Sequence, residues 1–453
     1  MDILMKKEET LSYFLKRVAV LVVPMALQNL INVGVTATDV VMLGKVGEKV
    51  LSGCSLGGQV LFILSLFLFG TTSGACVLTA QYWGKKDKEA IEKILGIVVA
   101  LTECVGILFM IVTLLFPGQI MAIFTNDAEI IAEGVKYLKI VAFTYPLAVF
   151  TMSYLNVMRS VERVIISTVV YASSLICNFV LNAILIFGLF GFPAMGIEGA
   201  AIGTLVARML ELVIVLIYMR KNQDVRVRFT YMIHLDPVLL KDFLRYSIPV
   251  IINEVLWGVG YSANSAIVGH LGSSAVAANS VAHMTRQLAQ VVVFGIGNAT
   301  AIMMGKAIGE GRKQLAEEYA GRFVKLALIC GMAGGVLILL LRPFITAGMG
   351  FEGMTAEYLY IFLAMMSYYV IGQAVNTTWV VGIFRAGGDT KFGMILDMST
   401  MWFGSILFGF LAAFVWNWSV PAVYFILLSD EIIKVPFCMW RYKQKKWLKD
   451  VTR

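Results

Sequence analysis

Apolar residues in this chain neither alternate nor follow a narrow stripe. They run on for about twenty or more positions, which is the length a membrane-crossing helix needs. The runs are Val18 to Met42, Leu56 to Ala80, Ile94 to Phe116, Val135 to Met158, Val164 to Leu189 and Ile197 to Met219. A second set follows: Phe243 to Val268, Ser280 to Met304, Phe323 to Leu341, Tyr358 to Phe384, Phe392 to Val415 and Val420 to Met439. Hydrocarbon leaves backbone polar groups no partner but one another, so each run is predicted to be a helix. The expected fold is an all-α polytopic membrane protein with twelve transmembrane helices. An outer-membrane barrel is excluded, because its strands alternate and never produce such runs.

Composition agrees. Of 453 residues, 59% are hydrophobic and 15% charged, against about 25% charged in soluble domains. The first run is longer than a signal-peptide core and no small-residue cleavage site follows it, so it is expected to be retained. The six cysteines fall mostly within apolar stretches with no C-x-x-C pair, which argues against a disulfide framework or a zinc site. The net charge of +8 belongs to loops and sets topology, with no nucleic acid required.

Most Lys and Arg residues fall on one side if both termini are cytoplasmic. Lys45, Lys49, Lys136, Lys139 and Arg342 are the exceptions outside, whereas the basic tail from Lys434 to Arg453 counts as inside. An odd number of spans would spoil this bias. The basic segment 220–242 divides the chain into an N-terminal lobe, 1–219, and a C-terminal lobe, 243–453, of six helices each. A shift of 225 residues aligns the halves without a gap from Pro24 to Gly96, pairing Pro24 with Pro249, Gly44 with Gly269 and Gly70 with Gly295. A shift of 226 pairs Arg159 with Arg385. A six-helix unit starts and ends on one side, so the lobes are expected to be related by a pseudo-two-fold axis along the membrane normal, with a cavity at their interface.

Polar residues within the spans each need a reason, because a charge at mid-membrane costs at least about 2.5 kcal/mol. Asp39 lies near the outer end of the first span. Asn178 and Asn182 are one helical turn apart in the fifth, and Thr204 is in the sixth. One carboxylate with amide and hydroxyl oxygens suits a proton or Na+; three separate packing contacts are the alternative. In the seventh span Glu254 follows Pro249 by five residues, and a proline inside a helix frees a carbonyl and provides a place to bend. Glu254 is a candidate for proton exchange or for pairing with a cationic substrate, or a carboxyl satisfied by Asn253 or a nearby tyrosine. Tyr368, Tyr369, Gln373 and Asn376 in the tenth span are candidates to line the same cavity. Arg208 and Glu211 are spaced as a local pair. Arg286, Asp397, Asp430 and Glu431 receive no assignment, and His270 and His283 are isolated. Nothing matches H-E-x-x-H, a P-loop or a Ser/His/Asp set, so neither catalysis nor ATP-driven pumping is expected.

Taken together, these residues resemble the multidrug and toxic compound extrusion (MATE) family. The likeness rests on Pro24 and Asp39 followed by Val-Met-Leu-Gly, on Asn178-Phe-Val-Leu-Asn182-Ala-Ile-Leu-Ile-Phe-Gly188, on Met195-Gly-Ile-Glu-Gly-Ala-Ala-Ile-Gly-Thr204 and on Phe384-Arg385-Ala-Gly-Gly-Asp389-Thr390. It spans nearly the whole chain. The resemblance implies export of amphipathic organic cations in exchange for Na+ or H+ by alternating access, with a cation site at Asp39, Asn178 and Thr204. Many relatives carry Asp where this chain has Asn182, so one carboxylate is missing. Glu254 matches an acid that some branches use for coupling, but the acid those branches carry in the tenth span is absent here.

The expected protein is therefore a secondary antiporter of the bacterial inner membrane, a monomer that needs the lipid bilayer and no cofactor beyond its coupling ion. The nearest rival is a lipid or lipid-linked oligosaccharide flippase of the same superfamily. A channel or an intramembrane enzyme is the rival from another class.

Overall fold

The computed structural model describes residues 10–453, without the side chains of residues 36 and 37. The helices are α1 (Leu11–Val46), α2 (Glu48–Lys85), α3 (Lys88–Leu115), α4 (Pro117–Phe124), α5 (Ala128–Val141), α6 (Thr144–Ser160), α7 (Ile165–Phe187), α8 (Gly196–Lys221) and α9 (Phe229–Ile233). They continue as α10 (Pro237–His270), α11 (Ser273–Gly309), α12 (Lys313–Gly348), α13 (Gly353–Thr377), α14 (Thr390–Met398), α15 (Leu407–Phe414), α16 (Val420–Leu427) and α17 (Asp430–Lys443). Wide π-helical turns at Thr378–Phe384 and Ser399–Ile406 prolong α13 and join α14 to α15.

Nine of the described helices are long and apolar enough to cross a membrane, or ten when the bent pair α5 and α6 counts as one. With α10 and the interrupted pair α16 and α17, every apolar run in the sequence is occupied by helix. Two runs expected to be single helices are broken. The fourth bends by 54° between α5 and α6. Pro146 has no N–H to give the Ala142 carbonyl, which instead accepts from Tyr145 at 3.2 Å in a tight turn. The twelfth breaks at Leu428 and Ser429, and α17 restarts with Asp430 and Glu431 in its first turn, where helix N–H groups favour negative charge. Pro24 and Pro249 both lie inside continuous helices.

Large apolar side chains such as Phe190, Ile123, Phe344 and Phe403 are exposed. Such surfaces are a liability in water but are the expected lipid contact of a membrane protein. The chain divides into two compact units. The first comprises Met1–Ala26, Cys76–Lys86 and Arg245–Arg453; the second comprises Leu27–Ala75 and Asp87–Leu244. The core of the second is built from Val60, Leu64 and Leu68 of α2, Tyr137 and Leu138 of α5, Tyr145 of α6 and Ile197 of α8. That of the first centres on Phe362, stacked on Tyr424 with ring centroids 3.6 Å apart, beside Ala278 and Ala282.

The basic segment 220–242 is part of the second unit and packs on its α3. Arg228 pairs with Glu92 at 2.8 Å. Asp224 pairs with Arg163 and, at 3.4 Å, with Lys88. Burial would push the Asp224 carboxyl up, but Arg163 and Lys88 outweigh it and hold it below the usual carboxylate range. Asp236 caps α10, accepting from Leu239 and Val238, and those N–H groups likewise hold its carboxyl low. Gly96 of α3 makes room for the segment: a Cβ there would sit 2.6 Å from the Tyr231 carbonyl oxygen.

Gly96→Val should therefore lift the segment off α3, seen as faster tryptic cleavage after Arg226 or Arg228 in protein that still folds. Unchanged cleavage would contradict the docking. Because the folded carboxyl of Asp224 is depressed, its pairs contribute above about pH 4 and are lost as pH falls further. Cleavage in the wild type should accordingly quicken on acidification.

Candidate functional sites

In the second unit, four of the predicted residues form one hydrogen-bonded chain. Asn182 Nδ2 donates to Asp39 Oδ1 at 2.6 Å and to Asn178 Oδ1 at 3.2 Å. Asn178 Nδ2 donates to Thr204 Oγ1 at 3.4 Å, and Thr204 in turn donates to the Ala200 carbonyl at 3.0 Å. Three helices supply the chain: α1 gives Asp39, α7 the two asparagines and α8 the threonine. The one-turn spacing of Asn178 and Asn182 puts both amides on the face of α7 that meets α8. Gly203 lets α8 approach that closely, since a Cβ at 203 would lie 2.3 Å from Asn182 Oδ1. Both asparagines are buried, and Asn182 Oδ1 has no hydrogen-bond partner. The same unit holds Arg208, bonded through Nη1 to both carboxylate oxygens of Glu211 at 2.9 and 3.0 Å. It also holds Glu103 in the middle of α3, which the sequence reading passed over and whose Oε1 is buried without a partner.

In the first unit the structure departs from expectation. Glu254 of α10 is not open to a substrate cation, because Arg385 Nη2 donates to its Oε1 at 2.7 Å. Arg385 stands at the end of the helix that prolongs α13, and only 4% of its side chain is exposed. Lys434 is expected from the sequence to belong to the basic tail. It is buried inside α17, with Nζ 2.7 Å from Asp397, 3.0 Å from Asp430 and 3.4 Å from Glu431. Asn253 donates to Asp397 at 3.2 Å, and Asn376 donates at 2.7 Å to both the backbone and the side-chain carboxylate of Glu431. Asp430, Glu431 and Lys434 stand at i, i+1 and i+4 of one helix, a spacing that gathers them onto one side. That pattern within an apolar run was the available sequence signal.

The remaining tenth-span candidates separate. Tyr369 lines a cavity with Trp257, Tyr261 and Arg286. Asn376 belongs to the Glu431 network, Gln373 is buried with Oε1 unpartnered, and Glu254 does not line the cavity of Tyr369. A larger groove of about 970 Å³, almost wholly apolar, runs between α10 and the helix from α14 to α15, bordered by Leu256, Ile267, Trp402, Phe403 and Phe410.

The motif at 384–390 also acquires a structural part. Asp389 accepts from Arg441 Nε and Nη2 at 2.6 and 2.9 Å, and Lys449 lies 3.4 Å away. Gln81 at the end of α2 donates to the carbonyls of Ala386 and Lys449 and accepts from the Val451 N–H. The last residues are thereby strapped to the 385–389 turn, with Trp447 buried.

The family model MatE matches residues 24–184 and again 249–411. The two matches begin 225 residues apart, at the prolines the internal alignment pairs. The chain is 24% identical over 405 residues to the probable multidrug resistance protein YoeA of Bacillus subtilis, covering 85% of this chain and 84% of that one. It is 23% identical to the probable multidrug resistance protein NorM of Agrobacterium fabrum, covering 85% and 91%. Among solved structures it is similar to MATE in the bent conformation, with TM-score 0.86, 16% identity and 95% of each chain covered. That fold places twelve helices in two lobes.

Removing one member of a buried ion pair strands its partner, at about 3–5 kcal/mol, whereas replacing both costs far less. Arg385→Met should therefore destabilise the protein strongly, and Arg385→Met with Glu254→Met should recover much of the loss in thermal unfolding. Equal losses in the single and double variants would contradict the pairing.

Proposed function

As the chain belongs to the MatE family of membrane transporters, we propose that it is a secondary antiporter of the bacterial inner membrane. It exports amphipathic organic cations in exchange for Na+ or H+, with both termini cytoplasmic. The observation that carries this is the hydrogen-bonded chain from Asp39 through Asn182 and Asn178 to Thr204. The names of its relatives, the probable multidrug resistance proteins YoeA and NorM, support the substrate class.

The chain suggests how an ion alters the site. Asn182 spends both N–H bonds on Asp39 and Asn178 and leaves its carbonyl without a donor. A proton on Asp39 has no acceptor in the amide nitrogen that faces it, and Na+ requires oxygens rather than an N–H. Loading either ion therefore favours turning the Asn182 amide so that Oδ1 faces Asp39, which breaks its present bond to Asn178. An ion shifts a conformational equilibrium only if it binds the states unequally. The amide supplies that inequality, because one orientation suits the empty carboxylate and the other the loaded one.

The second unit is thus the coupling element. In the first unit Glu254 is engaged by Arg385, and three carboxylates are engaged by Lys434. Cells expressing Asp39→Asn should lose gradient-driven efflux of a fluorescent organic cation while making the protein at normal levels. Efflux equal to wild type would show that coupling lies elsewhere.

A further inference from the structure

The cavity of the first unit lined by Tyr369 has no part in the ion chain. It encloses about 60 Å³, several times the roughly 10–15 Å³ that one water needs, which is room for a carboxylate group. Trp257 and Tyr261 stack in its wall, with centroids 5.9 Å apart and planes 16° from parallel. Two charged residues also line it, Arg286 and Asp430.

Arg286 is 7% exposed. Its Nη2 is 2.5 Å from His283 Nε2, and its guanidinium carbon lies 5.5 Å from the centroid of the Tyr369 ring. Its Nε has no hydrogen-bond partner. Among the described residues it makes no salt bridge. Asp430 does not neutralise it at close range, because that carboxylate is held by Lys434 at 3.0 Å. Tyr424, on the same wall, spends its hydroxyl on Asn279 at 2.9 Å. Since a guanidinium can only donate, His283 Nε2 is the acceptor and the imidazole is neutral.

A buried cation without an anion is expensive. Guanidinium is also the side chain whose fixed fork matches a carboxylate through two parallel N–H···O bonds. From the place of Arg286 in the cavity wall, its buried and unpartnered Nε and the missing counter-ion, we propose that Arg286 binds the carboxylate of a small organic acid inside this unit. The aromatic walls shield the pair from water. The inference rests on the transporter reading only in treating such an acid as cargo; the binding itself is tested without transport.

The experiment uses the purified full chain in detergent. Thermal unfolding is followed with sodium acetate, with acetamide of nearly the same shape and no charge, and with chloride at equal ionic strength. Acetate should give a saturable rise in unfolding temperature that acetamide and chloride do not. The rise should vanish in Arg286→Gln and survive, weakened, in Arg286→Lys. No acetate-specific rise, or the same rise in Arg286→Gln, would overturn the proposal. If Arg286→Gln does not fold, hydrogen exchange on the wild type decides: acetate should protect 257–268 and 279–290, and no such protection overturns the site. Absence of acetate binding in the wild type beside intact cation efflux would overturn this inference alone.

Discussion

A charge taken into hydrocarbon is costly unless a counter-charge or a hydrogen-bonding group meets it, and that constraint organises this molecule. The first unit meets it densely. Glu254 is closed by Arg385, while Lys434 collects Asp397, Asp430 and Glu431 from two separate segments. The break between α16 and α17 belongs to the same solution, since it places two of those acids in a first helical turn. The interrupted helix is thus the backbone's share of the burial of four charges.

The second unit meets the constraint more sparingly. Asp39 has one amide donor and no cation within its hydrogen-bonded chain. A carboxylate stabilised by a single neutral donor can be altered by a proton or a monovalent ion, whereas one locked to a guanidinium cannot without losing its pair. The contrast between Asp39 and Glu254 is therefore one of available partners rather than of depth. In the proposed coupling scheme, Asn182 is the donor whose orientation depends on whether Asp39 is loaded.

Much of this was legible in the sequence. Apolar runs of membrane length become helices because lipid allows no other use of the backbone, and the period of 225 residues reappears in the two segments matched by the family model. The Asp39, Asn178, Asn182 and Thr204 set was also readable, because spacing on α7 and the small Gly203 fix which faces meet. The rest depended on tertiary placement. Lys434 looked like tail charge because counting basic residues by position assumes that a lysine near a span's end lies outside it. The bend at α5 and α6 could have been read from Pro146, while the acids at 397, 430 and 431 could be joined only once α14 and α17 were seen side by side.

The most direct test of ion-coupled export is transport by the purified protein in liposomes, with a Na+ gradient and a proton gradient imposed separately. Movement of a fluorescent organic cation driven by one of these gradients, and absent without it, is the predicted result. No movement under either gradient, in correctly folded protein, would contradict the account.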